Sequence, residues 1–524
     1  MREQSVPSAA RTARSTLEHS TAVIRRTMPL LVDLAGRDFA VELTGSEPPE
    51  PVAGGLILPP GRVAILHGLG DALFYRHGQN SWSPCGWRRL SEPPLRIAHA
   101  ERRLTADDTV WDDPARHHSS AVAALEGADG RVLLLGSLGL GTPRLAADHD
   151  TLAGWCEDDG AAWFLAYGPE REVFAHYAEH LAERLGSSDR RAGNVWCTWY
   201  AYYEGITEQV LNKDIAELAG LPFDVVQIDD GWQRAVGDWA PNDKFPAGMR
   251  ALTERIATAG MSAGLWLAPF IVLPTSATAR EHPEFLLRDA DGEPVVAGHN
   301  WGAGYWALDL THPGVQEHLT RLIHRVVHEW GFTYLKLDFV NAGAVPGVRH
   351  SGAPREQAYR DALALIRRVA GPEVYLLGSG ALLLPSLGLV DGLRSGPDVA
   401  PLWTNYATDD PSDAMAYNAV VNTLHRLWQS PLVQVDPDVV YFRSRLNLLT
   451  ETQMGVLHDV AAICGFKAVS DPPSWLGPAE LDRMAAYLAE QPEIIQKGRY
   501  RFAIDGRTVD FTAALNPGQQ YPIS

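Results

Sequence analysis

Apolar and polar positions follow two rhythms that meet near residue 190. Before that point, short apolar stretches alternate with turn chemistry: residues 61–68 (GRVAILHG), 130–139 (GRVLLLGSLG) after Gly127-Ala128-Asp129-Gly130, and 161–168 (AAWFLAYG) after Asp158-Asp159-Gly160. Apolar runs bounded by such turns predict antiparallel strands and hairpins, hence a β-rich region over about 28–170. Phe174, Tyr177, Leu181 and Leu185 then recur at helical spacing and predict a helix, followed by a polar linker, GSSDRRAG, over 186–193.

From residue 193 the pattern becomes apolar strands alternating with amphipathic helices. Strands are expected at 194–199, 224–229, 262–268, 333–338, 373–378, 391–395, 431–435 and 467–470, and helices at 206–220, 248–260, 312–331 and 355–371. Eight strands in this alternation over about 280 residues predict an α/β fold, a (β/α)8 TIM barrel. A doubly wound open sheet is the alternative, weakened because no G-x-G-x-x-G follows the first strand. The expected division is an N-terminal arm at 1–27, a β-sandwich domain at 28–190, a catalytic barrel at 191–474 and a small C-terminal β element at 475–524.

Composition narrows the function. A chain of 524 residues with 46% hydrophobic and 21% charged residues is long enough for two or three globular domains. Its formal net charge of −19 argues against nucleic-acid and anionic-membrane partners. No run reaches the ~20 apolar residues of a membrane span. Arg25-Arg26 is followed too soon by Asp33 and Arg37 for a twin-arginine signal. Four scattered cysteines, Cys85, Cys156, Cys197 and Cys464, predict free thiols and a cytoplasmic protein rather than a disulfide framework or zinc site.

The chemistry gathers where barrel active sites form, at the C-terminal ends of the expected strands. Trp199 ends the first, Asp229-Asp230 the second and Trp266 the third. Lys336 and Asp338 lie on the fourth, Ser379 on the fifth, and Arg394 on the sixth with Asp398 just beyond. Carboxylates, cations and indoles on one face are the inventory of a sugar pocket. Lys336 and Asp338 are two apart and share a strand face. That pair fits a plug of the barrel as well as an ionised nucleophile beside a cation. Asp398 follows a Gly-Pro turn and fits a turn cap or an acid. Adjacent acids at Asp229-Asp230 repel, which favours a ligand role.

Other candidates fit less well. Gly378-Ser379-Gly380 lacks the G-x-S-x-G elbow of a serine hydrolase. His324 and His328, on a helix that also carries His318, lack H-E-x-x-H and are expected to face solvent. Asp436-Pro437-Asp438 reads as a loop-shaping motif that could support the pocket rim. No metal or cofactor is called for.

Taken in order, these segments resemble glycoside hydrolase family 36, in particular its compact bacterial α-galactosidases. The resemblance rests on Trp196–Tyr200, Gln227–Asp230, Gly237–Trp239, Gly264–Phe270, Ala307–Leu310, Lys336–Phe339, Ala342–Gly347 and Arg394–Pro401, with Asn80–Cys85 in the N-terminal region. It implies an N-terminal β-supersandwich, a catalytic barrel and a C-terminal β domain, shortened here. It also implies Asp338 as nucleophile and Asp398 as acid/base, with Asp229, Asp230, Lys336 and Arg394 binding sugar hydroxyls. Trp199 and Trp266 would wall the pocket, and Trp82 would reach it from the N-terminal domain. Ser379 stands where the family often has cysteine, near the sugar's C2 side. That departure bears on whether the glycone is galactose, N-acetylgalactosamine or another.

The expected activity is retaining hydrolysis of terminal α-galactosides by double displacement, the two carboxyls about 5–6 Å apart. Transglycosylation, an α-N-acetylgalactosaminidase-like activity and non-catalytic sugar binding are the alternatives. The expected partner is an α-galactoside or related oligosaccharide, and homo-oligomerisation is left open.

Overall fold

A computed structural model describes residues 29–515, apart from 98, 107–115, 159, 406 and 409. The arm expected over 1–27, with Arg25-Arg26, lies outside the described residues.

Two antiparallel sheets occupy the N-terminal part, one of six strands and one of seven. Strand alternation sends successive side chains to opposite faces, and both faces of the seven-stranded sheet are covered. Leu133, Leu135 and Leu165 point into a core shared with Phe39, Val63 and Ile65 of the six-stranded sheet. Their neighbours Val132, Leu134 and Phe164 point the other way, into the main core of the molecule. The helix α1 (Glu170–Leu185) packs on that second face, its Phe174, Tyr177 and Leu181 buried as the spacing predicts. Tyr177 donates its hydroxyl to the Ser137 carbonyl at 2.8 Å.

The segment 186–193 is not a free linker. One side chain and one backbone group tie it to the strand starts: Ser188 Oγ donates to Asp391 at 2.9 Å, and the Ala192 N–H donates to the Gln434 side chain at 2.9 Å. A polar composition reads as loop, but buried polar groups can anchor a crossing as firmly as apolar ones.

Beyond it stands a nine-stranded parallel sheet. Its strands are β1 (Asn194–Cys197), β2 (Val225–Ile228), β3 (Ser262–Leu267), β4 (Tyr334–Leu337) and β5 (Tyr375–Gly378). β6 (Gly392–Arg394), β7 (Gln434–Asp436), β8 (Val439–Val440) and β9 (Lys467–Val469) complete it. The spatial order is β7-β6-β5-β4-β3-β2-β1-β9-β8. The outermost strands β7 and β8 are separated in the chain only by Pro437 and Asp438, so the sheet curls round on itself into a barrel-like form. Each of the eight apolar segments marked in the sequence carries one of its strands, and β8 is the short addition at the seam. α2 (Glu208–Leu218), α3 (Gly248–Thr258), α4 (Pro313–His324) and α5 (Arg355–Ala370) follow strands as the periodicity predicts. Apolar parallel strands buried on both sides need such helical cover.

Two insertions widen the mouth of this sheet. A hairpin (Gln233–Ala235 with Asp238–Pro241) follows β2, and a three-stranded antiparallel piece (Ile271–Val272, Val296–Asn300, Ala303–Ala307) follows β3. At the C-terminal end, Ile494–Gln496, Arg501–Ile504 and Arg507–Asp510 form a small antiparallel sheet. Its Asp505-Gly506 turn has φ values of 47° and 79°, the geometry that suits an Asp-Gly hairpin.

Candidate active site

Parallel register brings the polar ends of the strands level. Lys336 pairs with Trp266 across β3–β4, and Arg394 pairs with Asp436 across β6–β7. Asp229 and Asp338 each follow a strand's last residue, so both emerge at the same C-terminal rim. There the molecule encloses a cavity of about 380 Å³ lined by Trp82, Trp199, Asp229, Asp230, Trp266, Lys336, Asp338 and Asp398.

Asp338 is held from two sides. Its Oδ2 accepts from Trp266 Nε1 at 3.0 Å and its Oδ1 from the Phe339 N–H at 2.8 Å. Phe339 takes a left-handed conformation, φ 53°, uncommon for a bulky residue and characteristic of functional sites. That kink turns the chain out of β4 and brings the Phe339 ring within 5.2 Å of both Trp82 and Trp301.

Lys336 and Asp229 form a buried ion pair at 2.8 Å. Burial works to lower the Lys336 pKa, yet Asp229, with Asp338 behind it, keeps the ammonium above its ordinary value. Asp229 also accepts from Gln227 Nε2 at 2.6 Å, and its N–H donates to Thr198 Oγ1 at 2.9 Å. Asp230 accepts from Gln233 Nε2 at 2.5 Å and Trp301 Nε1 at 2.8 Å. Burial raises its pKa, Gln233 and Trp301 oppose the rise, and Asp229 adds to it. The repulsion expected between the adjacent acids is met by giving each its own donors.

Asp398 is held more loosely. Arg394 Nη1 reaches its Oδ1 at 3.3 Å, and the side chain keeps 38% of its exposure on the cavity side. Protein encloses it elsewhere. That burial raises its pKa, Arg394 and Lys336 pull it back, and Asp338 and Asp229 add to the rise.

Arg394 and Ser379 do not line the cavity. Arg394 is bonded to Asp436 at 2.8 Å and Asp438 at 2.9 Å as well as to Asp398, and Asp438 accepts from the Val399 N–H, so the Asp-Pro-Asp segment supports the loop that carries Asp398. Ser379 is buried, its N–H donating to the Leu337 carbonyl at 2.8 Å. Beside it, Gly380 (φ +66°) leaves room for Trp82, since a Cβ there would fall 2.2 Å from the indole. Trp199 opens a short helix after β1 instead of ending the strand. On the outer helix His324 and His328 are exposed, but His318 is half-buried against Phe285 and burial lowers its pKa to about 4.

Several lining residues carry no motif that marks them. Trp301 sits at the tip of the second insertion, and Arg102 and Thr105 come from a short helix (Ala100–Ala106) in the N-terminal part. Thr105 Oγ1 lies 3.1 Å from Tyr305 OH, joining that helix to the insertion. Asn300-Trp301-Gly302, with φ 51° and 71° at its last two residues, is a visible turn signal. Nothing in it says where its indole goes. Among the described residues no group of three or more His, Cys, Asp or Glu is placed to hold a metal, and no helix is long and apolar enough to cross a membrane.

The melibiase family profile matches residues 171–370. The structure is similar to that of TtGalA, an α-galactosidase from Thermus thermophilus in complex with p-nitrophenyl α-D-galactopyranoside. The TM-score is 0.87 at 44% identity, covering 93% of this chain and 100% of that one. The sequence is 30% identical over 205 residues to α-galactosidase AgaA of Geobacillus stearothermophilus, covering 36% of this chain and 27% of that enzyme. It is 30% identical over 154 residues to an A type blood α-D-galactosamine galactosaminidase of Flavonifractor plautii, covering 28% of this chain and 14% of that one. These stretches thus span about a quarter or less of the curated relatives. A cavity of carboxylates and indoles at the mouth of a curled parallel sheet, with these relatives, defines a glycoside hydrolase. The chain belongs to glycoside hydrolase family 36, the melibiase family.

Proposed function

We propose that the chain is a retaining α-galactosidase that releases terminal α-linked galactose, with Asp338 as nucleophile and Asp398 as acid/base. The observation that carries this is the asymmetry of two carboxyls on one cavity. Asp338 has both oxygens fixed by N–H donors, while Asp398 has one long contact and an environment that raises its pKa. Such a pair divides the two roles of double displacement.

In the first step Asp398 gives its proton to the glycosidic oxygen. The C1–O bond breaks with its electron pair leaving on the departing alcohol, and an Asp338 oxygen bonds to C1 from the other face. In the second step a water gives a proton to Asp398 while its oxygen bonds to C1. The C1–Asp338 bond breaks and its electrons return to the carboxylate. Asp229 and Asp230, whose donors fix their oxygens, take sugar hydroxyls with Lys336, and Trp82, Trp199 and Trp266 cover the ring.

The likeness to an α-galactosidase over nearly the whole chain supports the glycone, as does the α-galactoside bound to that relative. The curled sheet is read as a (β/α)8 barrel in which β7 and β8 act as one interrupted strand. The regions at 28–190, 191–474 and 475–524 are assigned as β-supersandwich, catalytic barrel and small β domain. Four unpaired thiols support a reducing cytoplasm as the compartment.

Truncating the acid tests the roles. Asp398→Ala should lower kcat/KM on methyl α-galactoside about 10²–10⁴-fold and far less on an activated aryl α-galactoside. Azide should then rescue it as α-galactosyl azide. An equal loss on both substrates, without rescue, would remove Asp398 from the acid/base role.

A further inference from the structure

Beneath Asp398 lies a cluster for which the reaction, as written, has no use. Asp436 ends β7 and Asp438 precedes β8, both are buried, and Pro437 separates them at the seam of the sheet. Asp438 has φ 81°, outside the range most side chains adopt, and two N–H donors at the turn account for its persistence. Its own N–H donates to Asp436 Oδ1 at 2.7 Å, and the Val439 N–H donates to its Oδ1 at 2.9 Å.

The remaining oxygens point at the acid/base loop. Asp438 Oδ2 accepts from Arg394 Nη1 at 2.9 Å, from the Val399 N–H at 2.9 Å and from the Tyr200 hydroxyl. Asp436 Oδ2 accepts from Arg394 Nε at 2.8 Å. One guanidinium is therefore shared by three carboxyls, and Asp398 at 3.3 Å is the most distant. Val399 is the neighbour of Asp398, so Asp438 also grips the backbone that carries it. Two buried carboxylates compensate Arg394 before Asp398 meets it.

We propose that Asp438, aided by Asp436, is a positioning residue for the acid/base. It draws Arg394 away from Asp398 and fixes the adjoining backbone, so that Asp398 holds its proton until the leaving group takes it. This deepens the assignment of Asp398 and rests on it. The other groups facing Asp398 are Lys336, Asp338 and Asp229 across the cavity, with the Tyr200 and Tyr203 phenols beside it. Asp436 and Asp438 act on Asp398 through the Arg394 they share, and Asp438, whose own pKa burial raises to about 6, also repels it directly.

The test compares Asp438→Asn and Asp436→Asn with the unaltered full chain. Either substitution removes one charge from around Arg394 and keeps the side chain's size. The freed cation then favours ionised Asp398, so the alkaline limb of kcat/KM should move down by about one pH unit. At neutral pH, activity on methyl α-galactoside should fall about tenfold more than on p-nitrophenyl α-galactoside. An alkaline limb unmoved in a variant that melts as the parent does would overturn the proposal. If Asp438→Asn does not fold, Asp436→Asn carries the test. If neither folds, the pair serves only the seam of the sheet and the proposal fails. Asp398→Ala, run in parallel, separates the two readings: equal losses on both galactosides there would sink the acid/base assignment itself.

Discussion

The Asp229-Asp230 pair is affordable only because donors arrive from separate directions. Lys336 and Gln227 serve Asp229, while Gln233 and Trp301 serve Asp230. A hydrogen bond to a charged partner contributes about 1.5–3 kcal/mol, so Trp301→Phe should cost about tenfold or more in kcat/KM, chiefly as a higher KM. The sign with pH follows from the same bond. Trp301 opposes the burial that raises the Asp230 pKa, so without it Asp230 takes up a proton at higher pH. The defect should therefore deepen as the solution becomes more acidic. Steady-state kinetics across pH would check this, and an unchanged KM at every pH would refute it. Asp229, Asp230 and Lys336 are legible in sequence because a charge at a strand end needs a reason. Trp301 is not, because a tryptophan in a turn has many destinations.

At the scale of elements, the parallel strands were readable because burial on both sides demands continuous apolar runs. The helices between them show as clearly by their spacing. The insertions after β2 and β3 are harder, since their short strands carry little alternation and their aromatic residues divide between the core (Trp239, Tyr305) and the cavity (Trp301). The segment 186–193 is a connection, as its polar composition reads, but composition does not show that Ser188 and the Ala192 N–H tie it to the strand starts. Where elements meet, a single glycine decides the pocket wall. Gly380→Ala should cost about 1 kcal/mol in stability from its positive φ alone. It should cost more in activity, because the added methyl displaces Trp82. Thermal melts, tryptophan fluorescence and kinetics together would check it. Parent-like kcat/KM with an undisturbed Trp82 would show that the close approach does not matter.

Across the whole molecule, Arg499 ties three regions together. It pairs with Glu126 of the N-terminal sheet and with Glu170 of α1 at 2.8 Å, and its guanidinium lies 4.1 Å from the Trp87 ring centre. Burial raises the Glu170 pKa and Arg499 restrains it. Arg499→Met would leave two acids facing each other, so stability should fall by about 2 kcal/mol at neutral pH, less than for a fully buried pair. With the Glu170 pKa raised further in the folded state, the folded form gains protons as pH falls. The deficit should shrink towards acid pH and be largest above the folded pKa. Urea unfolding at several pH values measures this, and a pH-independent deficit would contradict it. Sequence periodicity marks each of these regions separately, but no local pattern announces a bond between residues more than three hundred positions apart.

The division of labour between Asp338 and Asp398 is tested most directly by trapping the intermediate. An Asp398→Ala chain still accepts an activated leaving group but lacks the base that would bring in water, so the glycosyl-enzyme should accumulate. Incubation with p-nitrophenyl α-galactoside, rapid acid quenching and peptide mass spectrometry should place one galactosyl unit on Asp338. A galactosyl unit on any other residue, or turnover with no adduct at all, would contradict the account.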